Sequence, residues 1–162
     1  MLRRLLGGVA VVTILGAAGL AALLRLAPED AAAWHQDPLT VARQGTGNSV
    51  LVAPAGMAAS PVDEEAGVYP VSPEELMLAI DAAAVARPRV TRLAGDPASL
   101  FVTYVERSTV MAFPDYISVR ALPAEGGSTL AVYSRSRYGS YDVGVNAKRV
   151  SAWLETLEPL RN

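Results

Sequence analysis

The sequence predicts an α+β protein: an N-terminal transmembrane helix, then a two-layer domain of one antiparallel sheet with four to five strands and two helices on one face. Three observations lead there. Leu5–Leu24 runs without a charge. A strongly signalled helix opens at Ser72. Between Arg89 and Arg137 two pairs of strand-like segments are joined by turn residues, and an amphipathic helix follows them.

At about 1.5 Å rise per residue, the apolar run spans about 30 Å, the thickness of a bilayer's hydrocarbon core. Arg3 and Arg4 precede it, while only Arg25 follows closely, ahead of Glu29 and Asp30. That asymmetry puts the N-terminus in the cytoplasm. The expectation is a single-pass inner-membrane protein held through Leu5–Leu24, with its domain in the periplasm. Secretion after signal cleavage is the alternative, since a charged start and an apolar run serve both. The absence of cysteine excludes disulfides and a lipidated cysteine anchor. Residues 1–25 are thus anchor or signal, 26–67 a tether containing Pro and Gly, and 68–162 the globular domain.

After Arg25 the chain carries all 16 acidic residues and most of the basic ones, a net charge of about −5. This sign excludes nucleic acid as an expected partner, since nucleic-acid binders carry a basic footprint. The charge is uneven. Asp63, Glu64, Glu65, Glu74, Glu75 and Asp81 crowd one segment; Arg135, Arg137, Lys148 and Arg149 crowd another, with Asp142 alone among them.

The elements follow in order. Pro28, Pro38, Pro54 and Pro61 interrupt the tether, leaving "SVLVA" at 49–53 as a short strand. Ser72 is an N-cap, with Pro73 at the first helical position and Glu75 placed for a capping box; Pro88 ends that helix. "RVTRLA" (89–94) and "LFVTYVERS" (100–108) form one hairpin, and "YISVRAL" (116–122) and "STLAVYSRSR" (128–137) a second. "TVMAF" is placed as an edge strand before Pro114. The last helix spans about Val143 to Glu158, with an apolar stripe of Val150, Trp153, Leu154 and Leu157 and Asp142 as its N-cap.

"FPDYISV" (113–119) and "YSRSRYGSYDVGVNAKRVSAWL" (133–154) resemble the bacterial and plastid family known as domain of unknown function 1499; "WHQDP" (34–38) and "NSVLV" (48–52) are also similar to segments of such proteins. The resemblance implies a small α+β domain, often exported or membrane-attached. It implies no activity, so no catalytic residue, cofactor or metal ligand is carried over from it.

The candidate binding residues are Arg135, Arg137, Tyr138, Asp115, Tyr116, Asp142 and Asn146. Strand alternation puts Arg135 and Arg137 on one face and Ser134 and Ser136 on the other, with Leu130 and Val132 marking the serine side as core. Two guanidiniums this close call for an anion between them. A ligand's phosphate, sulfate or carboxylate would serve, and so would Asp115 or Asp142. Tyr116 and Tyr138 could rim a pocket, but half-buried strand tyrosines are the commoner explanation. Asn146 is one turn from Asp142, which suits a local bond at the helix start. Catalysis has thin support: the single histidine, His35, falls in the tether, and zinc-type ligands are missing. No cofactor is expected. The leading reading is a binding module for an anionic small molecule, lipid headgroup or envelope partner. A purely structural Arg/Asp lock is the alternative, and a hydrolase using a carboxylate pair such as Glu106 and Asp115 is the second.

Overall fold

The period-two stretches of the second half meet as the centre of a sheet. The computed structural model describes residues 29–44 and 47–161, together with Gly16, Gly19 and Ala22. Along the chain lie α1 (Ala31–Trp34), β1 (Ser49–Ala53), β2 (Glu64–Glu65), β3 (Val68–Tyr69), α2 (Pro73–Val85), β4 (Val90–Asp96), β5 (Phe101–Arg107), β6 (Pro114–Ala124), β7 (Gly127–Ser136) and α3 (Val145–Glu155). The strands form one sheet in the order β2-β1-β7-β6-β5-β4, and β3 pairs with the beginning of β7.

This corrects the expected fold. The sheet has seven strands rather than four to five, and it is mixed, because β1 and β2 run parallel. Both of those strands come from the segment read as a tether. β1 continues the sheet beyond β7, pairing Leu51 with Tyr133, and Leu51 to Ala53 are buried. The expected transmembrane helix at Leu5–Leu24 lies outside the described residues apart from Gly16, Gly19 and Ala22. No helix among the described residues is long and apolar enough to cross a membrane.

α2 starts where its cap dictates: Ser72 Oγ accepts from the Glu75 N–H at 3.1 Å. Leu76, Met77, Ile80 and Ala84 then bury against the sheet. α3 begins two residues later than expected, after Gly144 at φ 77°. Asp142 is therefore not its N-cap; its carboxylate reaches forward to the N–H groups of Gly144 and Asn146, both at 2.9 Å. "TVMAF" forms a turn rather than a strand, with Ala112 in the left-handed region at φ 55°.

Cross-strand register sorts the side chains into two faces. One carries Val102, Tyr104, Ile117, Val119, Leu130 and Val132 and packs on Ile80, Val150 and Trp153 of the helices. The other carries four rows running across β5, β6 and β7. These are Phe101–Arg120–Ala131, Thr103–Ser118–Tyr133, Val105–Tyr116–Arg135, and Arg107–Pro114, beyond which Arg137 follows on. Residues 29–40 lie across this second face as a strap, so the sheet is covered on both sides rather than one.

Candidate functional site

The two halves of "SRSR" serve different structures. The serines face α3. Ser134 Oγ donates to Asn146 Oδ1 at 2.6 Å, and Asn146 Nδ2 is shared among the Asn48 carbonyl (3.0 Å), Ser136 Oγ (3.0 Å) and Asp142 Oδ2 (2.6 Å). Arg149 donates to Asn146 Oδ1 at 2.6 Å and to Ser134 Oγ at 3.2 Å. Its other nitrogens reach Glu106 and Asp115, each at 2.6 Å. Burial works against ionising Asp142, yet the hydrogen bonds from Asn146 and Gly144 hold its carboxyl below the usual range. Asp115, Asp142 and Asn146 thus form a lock between sheet and helix. Glu106 and Asp115 do stand side by side in register, but both are bound to Arg149.

The arginines face the strap. Arg135 is fully buried. Its Nη1 donates to Ser118 Oγ at 3.2 Å and to the Tyr133 carbonyl at 3.3 Å, and its Nη2 donates to the Trp34 carbonyl. Its Nε has no acceptor. Among the described residues, no carboxylate forms an ion pair with it. Ring faces stand in instead: its guanidinium carbon is 4.6 Å from the Tyr133 ring centre and 5.4 Å from that of Trp34. Burial lowers its pKa to about 10, with Tyr133 and Tyr116 opposing the shift, so it remains a cation at neutral pH.

A chain of hydroxyls leads away from it. Ser118 Oγ is 2.9 Å from Thr103 Oγ1, which is 2.9 Å from His35 Nδ1. Arg135 can only donate, so the arrangement that gives each hydroxyl proton an acceptor has Ser118 donating to Thr103 and Thr103 donating to Nδ1. Every hydroxyl is satisfied in that direction only if His35 is neutral. Burial lowers the His35 pKa, against the opposing charge of Asp37.

Arg137 is half-buried. Its Nη1 lies 3.4 Å from the Tyr116 hydroxyl and its guanidinium stands over Tyr138 at 5.3 Å. The Tyr116 ring stacks on Trp34 with centres 4.0 Å apart. Burial raises the Tyr116 pKa; Arg137 opposes this, as Arg107 does, while Glu29 adds to it. Of the sequence candidates, Arg135, Arg137, Tyr116 and Tyr138 therefore gather on the strap side. Asp115, Asp142 and Asn146 gather on the other, and among the described residues no carboxylate pairs with Arg135.

The strap supplies what sequence reasoning missed. Glu29 pairs with Arg107, and Asp37 with Arg120. His35 stacks on Phe101 at 3.9 Å. The alternation that sorted Arg135 from Ser134 also places Thr103, Ser118 and Arg120 on the arginine face once the strands are in register. Nothing in the local pattern of residues 29–40 marks them as its cover.

No curated protein and no solved structure matches this chain. One family model does, that of a protein of unknown function, DUF1499, over residues 36–157. That span holds the sheet, both helices that pack on it, both halves of the arginine–serine segment and the end of the strap, and the chain belongs to the DUF1499 family.

Proposed function

We propose that this protein is a non-catalytic binding module whose site is the arginine face of the sheet, and that it binds an anionic group at Arg135. One observation carries this reading: a fully buried guanidinium whose Nε–H has no acceptor and which, among the described residues, pairs with no carboxylate. A buried charge left without an opposite charge is costly, and such groups collect at functional sites. Where this sequence needs a structural arginine, at Arg149, it provides two carboxylates. Placement in the cell envelope belongs to the same proposal and rests on sequence alone, on the uncharged run behind Arg3 and Arg4.

The structural alternative is favoured by a different observation, the lock around Arg149 and Asn146, and it accounts for the serine half of the segment. It leaves the Arg135 charge without a carboxylate among the described residues. The test is a titration of the full chain with benzoate, followed through the Arg135 Nε–H resonance. Saturable movement that is lost in Arg135→Lys supports the site. An unmoved resonance in a folded protein overturns it and leaves the lock as the whole role of the segment.

A further inference from the structure

The strap reads as an occupant of the site. Each kind of group on the arginine face is met by one of its residues. Arg107, Arg120 and Arg135 come from β5, β6 and β7, and they are met by the Glu29 carboxylate, the Asp37 carboxylate and the Trp34 carbonyl. Tyr116 and Phe101 are met by the rings of Trp34 and His35. The strap's own secondary structure is a single helical turn. Its seat is therefore made of side-chain contacts, ion pairs and stacked rings, the terms by which a basic, aromatic surface takes an extended acidic peptide.

The fit is incomplete at one atom. The Trp34 carbonyl is a neutral acceptor facing a buried cation, and Arg135 Nε is left over. A carboxylate set there would accept from two guanidinium nitrogens, the stronger arrangement. We infer that the arginine face is a docking surface for an extended acidic segment of a partner protein, bearing an aromatic ring beside a carboxylate, and that residues 29–40 are a tethered substitute which such a segment displaces. This rests on the binding reading above and names the ligand class.

Displacement requires the partner to outcompete a strap whose tether gives it a high effective concentration, in the millimolar range for short flexible linkers. The test therefore weakens the strap within the full chain. A fluorescein-labelled peptide with the sequence of residues 29–40 is titrated, by anisotropy, into wild type, Trp34→Ala and the double variant Glu29→Gln/Asp37→Asn. The expected result is saturable binding to both variants at least tenfold tighter than to wild type, with a scrambled peptide failing to bind.

Folded variants that take up no peptide, or take up the scrambled one equally, overturn the inference. Dimerisation of the variants in place of peptide uptake assigns the face to a second copy and overturns it too. If Trp34→Ala fails to fold, the double variant decides, since it keeps every ring. A benzoate response at Arg135 without peptide uptake keeps the anion site and rejects the peptide; silence in both rejects both.

Discussion

Arg135 donates its Nη2–H to the main-chain carbonyl of Trp34, a residue 101 positions earlier in the chain. This contact joins the most deeply buried cation of the sheet to a segment that the sequence presents as a linker. It also distinguishes Arg135 from Arg149, which holds carboxylates instead of a carbonyl.

That contrast predicts an order of stabilities. Arg149→Met leaves Glu106 and Asp115 facing each other without their cation. Breaking a buried ion pair from one side typically costs about 3–5 kcal/mol. Arg135→Met removes a charge that strands no carboxylate among the described residues, so it should cost less, about 1.5–3 kcal/mol, the scale of a hydrogen bond to a charged group. Urea unfolding of the two variants measures the difference. Equal losses would mean that Arg135 is an architectural residue after all.

Acid should unfold the protein partly through the lock. Because Asp142 is held below its ordinary pKa in the fold, its contribution is fully present above the usual carboxylate value near 3.8 and is lost as pH falls through the lower folded value. Asp81, held down chiefly by its hydrogen bond from Arg92, acts in the same direction. Asp142→Asn should be less stable than wild type at pH 7 and show a flatter decline as pH falls below about 3.8. Parallel stability–pH curves for the two proteins would refute this role.

His35 makes strap docking sensitive to milder acid. Its folded pKa is lowered, so the unfolded chain takes up the proton first and stability falls as pH drops from about 6.5 toward that lower value. Protonation turns Nδ1 from acceptor to donor and leaves a hydroxyl of Thr103 or Ser118 without an acceptor. The fluorescence of Trp34, read in a Trp153→Phe background, should report loosening of the strap as pH falls below about 6.5, and His35→Gln should abolish that transition. An identical transition in both proteins would place its origin elsewhere.

Val143 sits at φ 55° and is largely exposed. A residue with a Cβ in the left-handed region loses about 1–2 kcal/mol, and a β-branched one gains nothing there from packing. Val143→Gly should therefore raise stability by about 0.5–1 kcal/mol after the greater chain entropy of glycine is deducted. Val143→Ala keeps the Cβ and should gain much less. Equal gains would rule out backbone strain as the cause.

The parts of this fold that sequence showed are those whose cause is local. Ser72 and Pro73 announce α2 through groups within one turn, and the hairpins around Asp96 and Gly126 carry their own turn residues. Asp142 was legible as a residue tied to the start of α3, but not its exact duty, because Gly144's positive φ moves the helix start. The candidate site was half legible. Period two separates the arginines from the serines, yet nothing near Arg135 tells that its acceptor is Trp34. The same distance hid the second layer. A strap with one helical turn has no period to read, and its reasons for being ordered lie on β5, β6 and β7.

The chain order of strap and sheet has a consequence in time. During synthesis Trp34 emerges about 100 residues before Arg135, an interval of roughly 5–20 s at ordinary elongation rates. For that interval the acidic strap exists without the face that covers it, and no local structure can shelter its tryptophan. Closure of this layer is consequently a late event that waits for β7.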